Sequence, residues 1–148
     1  MHPKFFIIFI LVLLVTLQTF TLFAQKLILG SSRKGICSFY ADKFEGLPTS
    51  NGEQYKSDAY TGAHRSLPYN TIVAVINLKT NKYVIVRIND RGPHRKTRLI
   101  DISKSAALEL GIVRKGLAIV EIRILGFDNF QSLNAFDPEG MKADSLNN

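Results

Sequence analysis

The sequence predicts a mainly β domain closed into a small barrel, and three observations carry that prediction. Tyr83 to Ile88 alternates with the two-residue period of a strand. Thr71 to Leu78, TIVAVINL, and Leu117 to Leu125, LAIVEIRIL, are dense in the β-branched residues that suit a pleated, packed surface. Between Gly35 and Leu125 only Ser103 to Leu110, SKSAALEL, reads as a helix. Short apolar strands with so little helix to cover them bury their core by closing on one another.

Lys4 precedes an uncharged run from Phe5 to Ala24 dominated by Phe, Ile, Leu and Val. A basic start and an apolar stretch predict a secretory signal peptide over residues 1–24. The run is also about long enough to span a bilayer, so an uncleaved N-terminal anchor is the alternative. No Cys sits just after it, so the sequence offers no lipid-attachment site there. Either way the domain is expected in the cell envelope, periplasmic or extracellular. It touches membrane only if the leader stays.

Residues 25–34 are read as a lead-in. Gly35 to Tyr40, GICSFY, is the first expected strand, with Ile36, Ser38 and Tyr40 alternating against Cys37 and Phe39. Ala41 to Asp58 is polar and rich in turn formers such as Gly46, Pro48 and Asn51-Gly52. A loop of that length in a small domain is usually functional or disordered. Tyr60 to Pro68, YTGAHRSLP, carries a His-Arg pair just ahead of Leu67-Pro68. Thr71 to Leu78 and Tyr83 to Asp90, joined by Lys79 to Lys82, read as a hairpin. Arg98 to Ile102 is a short strand, Asp101 or Ser103 caps the helix, and Gly111 stops it. Leu117 to Leu125 closes the domain, with Ala118, Val120, Ile122 and Ile124 on one face and Glu121 and Arg123 on the other. From Gly126 to Asn148 Asn, Asp, Pro and Gly dominate, which predicts a poorly ordered tail.

The net charge of +7 suits a polyanionic surface such as anionic cell wall or lipid headgroups. Export, and basic residues scattered singly, argue against nucleic acid. The single cysteine, Cys37, excludes an internal disulfide and reads as a small strand residue. His2, His64 and His94 show no ligand spacing, and no phosphate-binding glycine loop or nucleophile elbow occurs, so no metal or cofactor is expected.

Asp90 ends the Tyr83 strand just before the turn Arg91-Gly92-Pro93. If alternation persists past Ile88, Asp90 points the same way as Val84, Val86 and Ile88, at the rim of the core. There a partly screened carboxyl gains a raised pKa and acid chemistry. The plainer reading is a turn aspartate bonded to local amides. Arg87 faces away by alternation, whereas Arg91 is close enough in sequence to pair with Asp90 and lower its pKa.

Four segments, GICSFYADKFEGLPTSNGEQY, TGAHRSLPYNTIVAVINLKTNKYVIVRINDRGP, RLIDISKSAALELGI and GLAIVEIRIL, closely resemble the RlpA-like (rare lipoprotein A) double-psi β-barrel family, of septal-ring lytic transglycosylase type. The T-S-N-G-E loop, the A-H-R-x-L-P turn and the R-I-N-D-R-G-P strand end are the most specific pieces. The resemblance covers about Gly35 to Leu125 and implies a six-stranded double-psi barrel with a groove for a glycan. It implies cleavage of peptidoglycan strands between N-acetylmuramic acid and N-acetylglucosamine without water. The muramyl 6-hydroxyl attacks its own anomeric carbon and leaves a 1,6-anhydro end.

Carried over by motif, Asp90 is the acid and then the base, Glu53 a supporting carboxylate and His64 a supporting histidine. Asp101 matches a second groove aspartate of the related expansins, and Tyr40, Thr61 and Arg91 line the groove. Hydrolysis would need a second carboxylate roughly 6.5–9.5 Å from the acid in the inverting case, and Glu53 and Asp101 are the candidates. The alternative function is a non-catalytic, expansin-like glycan-binding or wall-loosening module. Two departures are expected: the tail is too short for the family's peptidoglycan-binding SPOR domain, and the lipid-attachment cysteine is missing.

Overall fold

The computed structural model describes residues 7–16, 18 and 30–127. The chain divides into two units, Met1–Ser31 and Ser32–Asn148. In the first, residues 7–16 form a helix, α1. Among the described residues no helix is long and apolar enough to cross a membrane. The expected cleavage point at Ala24 and the tail beyond Phe127 lie outside the described residues.

The second unit holds a closed six-stranded barrel: β1 (Ser32–Phe39), β2 (Thr61–His64), β3 (Thr71–Asn77), β4 (Tyr83–Asp90), β5 (Arg98–Ile102) and β6 (Ala118–Phe127). Around the barrel the order is β1-β5-β2-β4-β3-β6. The β1–β5 and β2–β4 pairs are parallel, and the other pairs are antiparallel. Among the described residues of this unit, helix α2 (Lys104–Glu109) and a short 3-10 turn (Asp42–Phe44) are the other regular elements.

The strongest sequence patterns become the strands that close the core. Val73, Val75, Val84, Val86, Ile88, Ile100, Ile102 and Val120 are buried within the barrel. Burying side chains of this size contributes roughly 1.5–3 kcal/mol each. The β3–β4 hairpin forms as expected, and Asn81 adopts a left-handed φ of 55° in its turn. Ser103 caps α2 by accepting the Ala106 amide, so Asp101 is free of the capping role.

β1 starts at Ser32, inside the expected lead-in, and β6 runs through Gly126 and Phe127, the first two residues of the expected tail. The Ala41 to Asp58 loop is tied down by a bridge between Pro48 and Gln54 and by Tyr55, which is 3% exposed.

β2 completes the barrel although its four residues, Thr-Gly-Ala-His, carry no apolar alternation. Gly62 lets two neighbours close in: a Cβ there would meet the Asp101 carbonyl oxygen at 3.0 Å. Against β2, Gly62 pairs with Ile88 and Ala63 with Asp90, so Asn89 is an extra residue in β4. A bulge of this kind turns the following side chain. Asp90 therefore shares the outer face of Ala63 and not the core face of Ile88, which corrects the expectation from simple alternation.

Candidate functional site

The bulge in β4 gathers polar side chains on the outside of the barrel. Pairing across β1, β5, β2 and β4 sets Ser38, Asp101, Ala63 and Asp90 in one row. Thr61 lies on the same face two residues before Ala63, and Arg87 pairs opposite it. The loop from Thr49 to Glu53 closes over the β4 side. The result is a trough floored by β2.

Asp90 is half-buried in this row, opposite Ala63. Its Oδ2 accepts from the Tyr40 hydroxyl at 2.7 Å. Its Oδ1 accepts from the Ser50 amide at 2.8 Å, the Ser50 hydroxyl at 2.6 Å and the Arg91 amide at 2.8 Å. Burial by itself would raise the Asp90 carboxyl, but the Ser50 and Tyr40 bonds and the two amides outweigh it and hold the group below its ordinary value. The turn-aspartate reading holds, since Asp90 is bonded to local amides; the expected raised pKa does not, because those donors outweigh burial.

The guanidinium of Arg91 does not reach for Asp90. It donates to the His64 and Leu67 carbonyls at 3.3 and 3.0 Å and lies 3.7 Å over the Tyr69 ring. The Tyr40 ring stacks on Tyr55 at 4.6 Å, which aims its hydroxyl. Burial and then the bond to Asp90 push the Tyr40 phenol far up, so it stays a proton donor.

Glu53 sits beside Asp90 in a different electrostatic state. Arg87 grips both its oxygens at 2.8 Å, Asn89 donates to Oε2 at 2.9 Å and Asn51 to Oε1 at 2.9 Å. Arg87 above all lowers the Glu53 pKa to about 2. This carboxylate stays charged throughout the neutral and mildly acidic range. Thr61, Arg87, Asn89 and Glu53 line a cleft of about 370 Å³ together with Lys56.

His64 is 4% exposed at the end of β2. Its Nδ1 accepts from the Ser66 and Leu67 amides at 3.2 and 3.0 Å, which fixes the neutral ring with the proton on Nε2. Burial, followed by Arg33, Arg65 and Arg91, pushes its pKa down to about 4. No hydrogen bond joins it to Asp90 or Glu53 among the described contacts; it organises the turn that receives Arg91. Asp101, on the far side of β2 from Asp90, accepts from the Ser38 hydroxyl and from Arg98 at 3.2 Å.

The residues brought together are therefore Tyr40, Glu53, Thr61, Asp90 and Asp101, whereas His64 and Arg91 lie behind them in the supporting turn. Sequence reasoning passed over Ser50, Arg87 and Asn89. Ser50 and the loop that carries it are part of the T-S-N-G-E motif, so the signal was present. Arg87 was expected to face away from Asp90; the extra residue at Asn89 instead turns Asp90 onto the outer face that Arg87 occupies.

The lytic transglycolase family model matches residues 32–122, the barrel almost from end to end. The endolytic peptidoglycan transglycosylase RlpA of Campylobacter jejuni is 42% identical over 80% of this chain and 43% of its own length. Its namesake in Helicobacter pylori strain J99 is 48% identical over 71% of this chain and 33% of its own length. The chain thus spans less than half the length of these curated relatives. Among solved structures, Streptomyces papain inhibitor superposes with a TM-score of 0.53 at 17% identity, covering 65% of this chain and 96% of that one. A mutant Clavibacter michiganensis expansin in complex with cellohexaose gives 0.51 at 16% identity, covering 64% and 50%. These two likenesses show the double-psi barrel fold alone; the family model matched over residues 32–122, with the identity of the curated relatives, shows that the chain belongs to the RlpA-like lytic transglycolase family.

Proposed function

We propose that the barrel is a peptidoglycan lytic transglycosylase domain that binds a glycan strand along the trough, with Asp90 as its acid and then its base. The observation that carries the reading is the division of labour between the two neighbouring carboxylates. Glu53 is saturated by Arg87, Asn89 and Asn51, whereas Asp90 is held by neutral hydroxyl and amide donors and, among the described residues, bonds no cationic side chain. Of these two, Asp90 is the one that can gain and lose a proton without breaking an ion pair among the described residues.

In the proposed reaction the protonated Asp90 gives its proton to the glycosidic oxygen of N-acetylglucosamine as the bond to the muramyl anomeric carbon breaks. The positive charge developing at that carbon faces the carboxylate left behind. The muramyl 6-hydroxyl then attacks the carbon from within the same sugar, and Asp90 takes the hydroxyl proton. The proton is returned, no water enters, and a 1,6-anhydro end results. Tyr40 and Ser50 hold the carboxyl in place through both transfers. His64 and Arg91 act as positioning residues by fixing the turn behind it. Glu53 keeps Arg87 aligned along the wall of the cleft.

The lowered pKa of Asp90 in the open trough leaves little of it protonated at neutral pH. A bound sugar strips water from the carboxyl and raises that pKa, which supplies the acid form. The same feature favours a second reading, a glycan-binding or wall-loosening module without cleavage. The two readings separate on one variant. Asp90→Asn should reduce release of anhydro products at least 10³-fold, within the range removed with a general acid–base group, while sacculus binding and the folded spectrum persist. Wild-type protein that binds sacculi and yields no anhydro product would support the second reading.

A further inference from the structure

A second cleft, of about 480 Å³, opens where the β3–β4 turn meets the loop after α2 and the start of β6. Its rim carries Leu78, Leu117 and Ile119, which are 39%, 50% and 64% exposed. Lys79 and Lys115 line it, and among the described residues no carboxylate does. Lys82 extends the positive side, with its Nζ 3.9 Å from where a Gly111 Cβ would be. The carboxylates on the adjoining elements are engaged elsewhere: Glu109 accepts from Tyr60, and Glu121 is paired with Arg123. An apolar rim inside a ring of lysines is complementary to one chemistry in particular, an anionic lipid surface whose phosphates meet the cations while the branched side chains enter the acyl boundary.

We infer that this face docks the barrel on an anionic phospholipid bilayer. The cleft abuts the Tyr83 end of β4, and Asp90 is at the other end of the eight-residue strand. At about 3.3 Å per residue the two ends are roughly 23 Å apart along the strand. The docking face and the trough therefore use different side chains, and the inference stands whether or not the trough cleaves glycan.

The chain contains no tryptophan, so one introduced at the rim reports on that place alone. The full-length chain carrying Ile119→Trp, or Leu117→Trp as a second reporter, is mixed with phosphatidylglycerol vesicles and with phosphatidylcholine vesicles. The expected result is a blue shift, and quenching by brominated acyl chains, on phosphatidylglycerol only. Adding Lys79→Gln and Lys115→Gln should raise the lipid concentration needed for half the shift by about 25-fold, roughly fivefold per cation. Because the signal arises at the rim, insertion of the apolar N-terminal segment does not mimic it. An unshifted reporter on phosphatidylglycerol, an equal shift on both vesicles, or a concentration-dependent shift without lipid, which would mean a second copy covers the face, would each overturn the inference.

Discussion

Asp90 is tuned by donors that can be removed one at a time, and each removal has a defined sign. The bonds from Ser50 and Tyr40 lower its pKa by favouring the charged form. If Asp90 must be protonated to start the reaction, kcat/KM falls as pH rises through the pKa of the free enzyme. Tyr40→Phe removes one donor, so that falling limb should move to higher pH in a pH–rate profile. An unmoved limb would separate Tyr40 from the proton chemistry. At this scale Asp90, Glu53 and Thr61 were legible because their motifs lie in order along the chain. Tyr40 was placed in the same groove, but its bond to Asp90 and that of Ser50 were not readable, since Tyr40 and Ser50 lie 50 and 40 residues before Asp90 and only the fold joins them. Nor was the state of Glu53 readable, because its pairing with Arg87 depends on the loop folding back over β4.

Among the elements, β3, β4, β5 and β6 announced themselves by β-branched, alternating residues. β2 did not, because a strand of four with a glycine at its second position has almost no pattern to read. Its contribution lies in closeness to its neighbours, not in apolar area. Gly62→Ala should therefore cost about 1–3 kcal/mol, the range for overpacking, since the new methyl presses on the Asp101 carbonyl. The midpoint of a urea titration measures this, and a variant as stable as the parent would show that β2 and β5 can separate freely. The bulge at Asn89 was equally hidden, because nothing in R-I-N-D announces a skipped pairing. That one residue decides which way Asp90 faces. The salt bridge across the trough wall is partly exposed, so Glu53→Gln should cost no more than about 1 kcal/mol at neutral pH. The folded pKa of about 2 lies below the ordinary glutamate value. The contribution of Glu53 is thus full above the ordinary value and fades as pH falls towards 2, where urea midpoints of variant and parent should converge.

For the whole molecule, acid weakens the fold in two stages. His64 has a folded pKa of about 4, below the roughly 6.5 of an unfolded histidine. The unfolded chain binds the extra proton between those values, so stability is full above about 6.5 and declines as pH falls towards 4. Below that, protonation of Glu53 adds to the loss. Urea midpoints at pH 7 and 4.5 should differ for the parent and differ less for His64→Gln. A flat profile between those values would contradict the buried, neutral state of the ring. The barrel itself was legible because strand composition and the order of three motifs pointed the same way. The apolar, lysine-lined cleft was not, since its rim is assembled from a turn, a loop and the start of a strand that no local pattern links. The central claim concerns one carboxyl working without water, and mass spectrometry of the products released from purified peptidoglycan tests it most directly. Muramyl ends should be about 18 Da lighter than hydrolytic ends, that mass being the one water withheld, and should disappear with Asp90→Asn; reducing ends that carry the full water, or products unchanged in the variant, would rule out the anhydro route.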